Sequence, residues 1–178
     1  MSDESASRYR SWAMAIFPIR TFGDPVLRTP AKGVTRIDDK IRKLVEDMTE
    51  TMYDAPGVGL AAPQIGVGLR VAVFDPGDGL GARTMINPEL VETEGEWEFE
   101  EGCLSVPGYW WHITRPAYVR IRALDENAEE VEYEGDELMG RVLQHEYQHL
   151  DGILIIDQLP KRERKRVLKE LSEQALGL

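Results

Sequence analysis

The stretch Gly135-Asp136-Glu137-Leu138-Met139-Gly140-Arg141-Val142-Leu143-Gln144-His145-Glu146-Tyr147-Gln148-His149-Leu150-Asp151-Gly152 organises the rest of the chain. Gly135 and Asp136 open a helix there, and Asp151 and Gly152 stop it. Leu138, Val142, His145 and His149 fall on one stripe, with Met139, Leu143, Tyr147 and Leu150 on the flanking ones. A helix with so little polar surface belongs in the interior. Within it, His145-Glu146-Tyr147-Gln148-His149 reads H-E-x-x-H. Residues four apart stand one turn apart on one face, so two imidazoles can converge on a single ion. Glu146 lies one step round the helix, where a carboxylate reaches water beside such an ion without ligating it. The plainer alternative is a pair of ordinary core histidines. It leaves a buried acid without a partner, which is costly.

Working outward, Ile37 to Tyr53 is a second helix. Ile41, Leu44, Val45, Met48 and Met52 keep helical spacing, and Asp38 and Asp39 supply the cap and favourable charge. Pro56 and Gly57 end it, and a Gly-rich stretch to Gly66 follows whose small side chains permit close backbone approach. Strands are predicted at Leu69 to Phe74, Met85 to Thr93, Glu96 to Glu100 and Ala117 to Leu124. The last alternates Tyr118, Arg120 and Arg122 against a buried face of Val119, Ile121 and Ala123, and a turn at Asp125 to Ala128 hairpins it to Val131 to Glu134. Gly152 to Asp157 is short and apolar, and a charged helix runs from Lys161 to about Ala175. Strands and helices do not alternate regularly, so α+β fits better than a parallel βαβ fold. The expectation is α+β: mixed or antiparallel sheets packed around a buried central helix carrying H-E-x-x-H, with a C-terminal helix.

The 178 residues suit a single domain, residues 14–178, with 1–13 as a loose N-terminal extension. A net charge of −11 argues against sequence-specific or broad nucleic-acid binding. No apolar run is long enough for a membrane span. One cysteine permits no internal disulfide, so a reducing compartment, the cytoplasm, is expected.

A catalytic metal site usually takes three protein ligands and leaves one position open. Cys103, in Glu100-Glu101-Gly102-Cys103-Leu104-Ser105-Val106-Pro107-Gly108, would complete a Cys/His/His set. Taken alone, it reads equally as a small buried hydrophobe. Three segments together resemble the motifs of peptide deformylase: Gly57-Val58-Gly59-Leu60-Ala61-Ala62-Pro63-Gln64, Glu101-Gly102-Cys103-Leu104-Ser105 and Gln144-His145-Glu146-Tyr147-Gln148-His149. H-E-x-x-H alone is shared by many metalloproteases; the three motifs in this order are far more specific. The likeness spans residues 14 to about 160.

The resemblance implies an enzyme that removes the formyl group from the N-terminal formyl-methionine of new polypeptides, releasing formate. It implies Cys103, His145 and His149 as ligands of one divalent metal, Fe²⁺ in many members with Zn²⁺, Ni²⁺ or Co²⁺ as substitutes. Glu146 would be the general base, and the Leu104 backbone N–H and the Gln64 side-chain amide would line the oxyanion hole. Val58 and Val142 are candidate walls of a methionine slot, or else ordinary core residues. Gly59 and Gly102 could present backbone groups to an extended peptide.

Gln148 stands where the family usually carries Asp; it is expected to face Arg115, keeping a hydrogen bond and losing a charge. Glu101 is a candidate acceptor for a ligand imidazole, or a solvated acid. Trp110 and Trp111 rim the substrate entrance or cap a core edge, and His112 reads as a loop residue. Lys161 to Lys169 carries six basic residues and one acid, a solvated helix face or a dock for the ribosome from which nascent chains emerge. Two other classes compete with the deformylase reading. An H-E-x-x-H endopeptidase more often draws its third ligand from downstream Glu or His, and no His follows His149. A closed structural metal site has no use for the base Glu146.

Overall fold

The computed structural model describes residues 15–175. Among these, three α-helices, α1 (Asp39–Asp54), α2 (Glu137–Leu150) and α3 (Lys161–Ala175), accompany seven strands: β1 (Gly59–Ala61), β2 (Val71–Phe74), β3 (Arg83–Glu94), β4 (Trp97–Gly102), β5 (Trp110–Arg115), β6 (Tyr118–Leu124) and β7 (Glu130–Gly135). Every strand pairing is antiparallel, in a five-stranded sheet ordered β1-β2-β3-β6-β7 and a two-stranded sheet β4-β5. The architecture is α+β. The expected N-terminal extension, residues 1–13, lies outside the described residues. No helix among the described residues is long and apolar enough to cross a membrane.

The large sheet is covered on both faces, which explains why Val71-Ala72-Val73-Phe74 is apolar without interruption. Ala72 and Phe74 pack with Met85, Val119 and Ile121 against Val142, Leu143 and Leu150 of α2. Val71 and Val73 point the other way, onto Ile41, Val45, Met48 and Met52 of α1. Strand β6 has one buried face, as its alternation predicts: Val119, Ile121 and Ala123 are in the core and Arg122 is exposed. A third core lies beneath the two-stranded sheet, where Trp111 and Ile113 meet Ile156 and the Val167 and Leu171 side chains of α3. The C-terminal helix is therefore anchored by a buried stripe. Asp157 adds to that anchor by accepting from Leu154 N at 2.9 Å and from Arg28, and by an ion pair with Arg164 at 2.6 Å.

The first two predicted helices have their capping residues in place. Asp38 Oδ1 accepts from the Lys40 and Ile41 amides ahead of α1, and Asp136 occupies the cap position of α2, although its side chain makes no capping bond there. Two expectations are corrected. Leu138, assigned to a buried stripe, is 41% exposed in the first turn of α2. His112 is on strand β5, not in a loop, and faces solvent. The Gly-rich stretch holds strand β1, which pairs with β2 and is approached by α2.

Candidate metal centre and active site

Strand β4 runs into Cys103, and α2 presents His145 and His149 to it. The Cys103 Sγ lies 3.3 Å from His149 Nε2, which in turn lies 3.2 Å from His145 Nε2. The three donor atoms are all within 4.8 Å of one another. Two ring nitrogens and a sulfur facing one point suit a shared cation, since the two nitrogens otherwise need a proton between them. The donor set, thiolate and imidazole, fits a first-row divalent ion. Burial pushes the Cys103 thiol up, but the facing His149 and His145 outweigh it and hold it well below its ordinary range. A deprotonated thiol is the form that ligates metal.

Beside this cluster, Glu146 is 4% exposed and its Oε2 has no hydrogen-bond partner among the described residues. Burial, opposed by His145 and His149, raises its carboxyl above the usual value. A buried orphan carboxylate oxygen costs folding free energy and points to a role in chemistry. The close packing is possible only because residue 59 is glycine: a Cβ there would stand 2.3 Å from Glu146 Oε1.

Glu101 is a buried acceptor shared by three partners. Arg115 grips both oxygens at 2.8 and 2.6 Å, Arg141 reaches Oε2 at 2.7 Å, and His145 Nδ1 faces Oε1 at 2.5 Å. Burial pushes this carboxyl up, yet Arg115 and His145 outweigh it and hold it far below the usual carboxylate range. A carboxylate on Nδ1 turns Nε2 toward the cluster. Gln148 Oε1 accepts from Arg115 Nη1 at 2.9 Å, where the sequence placed it. On the opposite wall, the Gln64 Oε1 accepts from Ala61 N at 2.8 Å, while Nε2 donates to Ser105 Oγ at 3.2 Å. An amide NH₂ has two protons, so one stays available.

A cavity of about 570 Å³ opens onto these groups. Its lining includes Val58, Gly59, Gln64, Gly102, Leu104 and Val142, all named from the sequence. Val58 is 44% exposed and so is not a core residue, whereas Val142 is buried and borders both cavity and core. The two tryptophans divide between their two readings: Trp110 is exposed on the cavity rim, and Trp111 is buried in the core under the two-stranded sheet. Sequence reasoning passed over Phe99, Leu138 and Arg141, which also line the cavity. The available signal for Arg141 was a cation four residues before His145 in an otherwise apolar stretch.

Comparison with known proteins agrees with this geometry. The family model described as polypeptide deformylase matches residues 16–165. The chain belongs to the polypeptide deformylase family. It is 49% identical over 160 residues to a peptide deformylase of Acidothermus cellulolyticus, covering 90% of this chain and 88% of the relative. It is 50% identical over 149 residues to one of Clostridium botulinum, covering 84% of this chain and all of the relative. Among solved structures, a peptide deformylase from Legionella pneumophila superposes with a TM-score of 0.84 at 44% identity, covering 90% of this chain and 96% of that one. Deformylases remove the N-formyl group from nascent peptides, and this chain is a hydrolase of that class. The family is metal-dependent, and Cys103, His145 and His149 form a group able to hold one ion.

Proposed function

We propose that Cys103, His145 and His149 hold one divalent ion, Fe²⁺ in the native protein with Zn²⁺, Ni²⁺ or Co²⁺ able to replace it, and that the chain deformylates formyl-methionyl peptides there. The observation that carries this reading is the unpartnered, buried Glu146 carboxylate oxygen beside three converging donor atoms. A divalent ion supplies Lewis acidity and brings water from a pKa of ~15.7 toward ~7, so that neutral solution suffices. Glu146 takes the proton from the attacking water on its carboxylate and returns it to the departing amine as the C–N bond breaks, giving formate and a free methionine amine. Its raised pKa suits a group that must both accept and release a proton near neutrality.

As the formyl carbon becomes tetrahedral, charge gathers on its oxygen. The free Gln64 Nε2 proton and the Leu104 backbone N–H receive it; neutral donors held in place stabilise such charge without reorganising. Val58 and Val142 flank the methionine side chain, and the backbones of Gly59 and Gly102 pair with the extended peptide. In this reading α2 is the central helix around which both sheets are arranged, and residues 14–178 act as one catalytic domain in the cytoplasm. The exposed cations Arg162, Lys165, Arg166 and Lys169 of α3 form a dock for the ribosome. Because Val167 and Leu171 are buried, that idea is tested by reversing those four charges, not by deleting the helix; unchanged ribosome co-sedimentation removes it.

The central test is formate release from formyl-Met-Ala by the metal-loaded chain, with Glu146→Ala as control. The variant should keep its metal and lose turnover. Full activity in Glu146→Ala, or no formate from the wild type, overturns the mechanism.

A further inference from the structure

Arg141 lies one helical turn before His145 on α2 and is 4% exposed. A guanidinium in the interior is costly unless its donors are used. Here Nη1 donates to Glu101 Oε2 at 2.7 Å and to the Ile113 carbonyl at 3.1 Å, and Nη2 donates to the Trp97 carbonyl at 3.1 Å, while Nε has no partner among the described residues. The guanidinium carbon also sits 4.9 Å above the Trp97 ring. All of these partners are on β4 and β5, so one helical side chain ties α2 to the two-stranded sheet.

That tie spans the metal centre. Strand β4 delivers Cys103, and α2 delivers His145 and His149. The distance between sulfur and imidazoles therefore depends on how α2 sits against β4. The same side chain grips Glu101, whose other oxygen faces His145 Nδ1. Arg115 also crosses to α2, but only through the neutral amide of Gln148. Besides the His145–Glu101 contact itself, the charged link that starts on the helix is Arg141.

We infer that Arg141 is a positioning residue for the metal centre: through Glu101 and strand β4 it sets the spacing between the Cys103 sulfur and the two imidazoles. The inference rests on the metal-centre reading above. It also gives the buried cation a purpose that packing alone does not, because its contacts end on the carboxylate that orients a ligand.

The test uses the full chain, stripped of metal and reloaded. Zn²⁺ affinity is measured by competition with a chromogenic chelator, and ligand geometry by the absorption bands of the Co²⁺ form. Arg141→Met should weaken Zn²⁺ binding by roughly 10- to 100-fold, the usual loss when the support of a ligand is removed, and should shift the Co²⁺ bands. Arg141→Lys keeps the charge without the fork and should fall between the two. In a Glu101→Gln background, Arg141→Met should cost much less than in the wild type, because part of its effect passes through that carboxylate. Wild-type affinity and an unchanged spectrum in Arg141→Met, whatever its thermal stability, overturn the inference, as does full additivity with Glu101→Gln. Should Arg141→Met fail to fold, wild-type values in Arg141→Lys overturn it instead. A wild-type chain whose Co²⁺ spectrum shows no thiolate band overturns the metal-centre reading itself.

Discussion

Replacing Gly59 by alanine isolates the position of Glu146 from its chemistry. The added Cβ would lie 2.3 Å from Glu146 Oε1, 2.7 Å from Cδ and 2.9 Å from Cγ. Restoring an ordinary 3.4 Å contact moves that oxygen by about 1.1 Å, and a misplacement of about 1 Å in a reacting group costs on the order of 10²-fold in rate. The obstructed atoms belong to the end of a side chain, so the backbone of β1 need not move. Overpacking a core position costs about 1–3 kcal/mol, and the lower end applies here. The expected result is a kcat for formate release from formyl-Met-Ala lowered about 100-fold, with bound metal unchanged and thermal unfolding only slightly earlier. The reasoning is refuted by a kcat within a few-fold of the wild type at full metal occupancy. Loss of metal alongside activity would also refute it, because that would place the collision on the ligands and not on the base.

Gln64→Ala should lower kcat by ~10²–10³ through the lost oxyanion donor, and it also leaves the buried Ala61 amide without its 2.8 Å acceptor. Chemical denaturation should show that second effect as a loss of about 1–3 kcal/mol. Removing the metal with a chelator should abolish formate release and make Cys103, the one cysteine of the chain, alkylate several-fold faster with iodoacetamide, as read by mass spectrometry. An iron-loaded preparation should lose activity in air over hours and keep it without oxygen, since both a ferrous ion and its thiolate ligand oxidise. Asp157→Ala should cost about 1.5–3 kcal/mol of stability, because it strips the partners of Arg28, Arg164 and the Leu154 amide at once. Its deformylase activity at low temperature should stay close to that of the wild type, as Asp157 lies under α3 and away from the donor cluster.

Where one face of an element is buried, its period was readable directly. The positions of α1 that pack on the sheet are those picked out by helical spacing, and β6 turns inward the three residues its alternation assigned. Strand β5 was passed over although it also has period two. Trp111, Ile113 and Arg115 point inward, and the last of these is a cation neutralised by Glu101, so the alternation did not look apolar. Strand β1 was hidden for a different reason. Three residues are too few to carry a periodic signal, and their pairing with β2 is decided by the groups packed on either side.

The sequence by itself determined the chemistry available to this chain. H-E-x-x-H in a helix places two imidazoles one turn apart by helical geometry alone, and the single cysteine and the Gly-rich stretch supply a possible third ligand and room for close approach. What brought Cys103 to His149, Glu146 against Gly59 and Glu101 between two arginines was the tertiary structure. Those contacts join residues from 14 to 87 positions apart in the chain, and local propensity does not reach that far. Their distances follow from how α2 packs on the five-stranded sheet, and a buried charge reveals its partner only when that packing is complete.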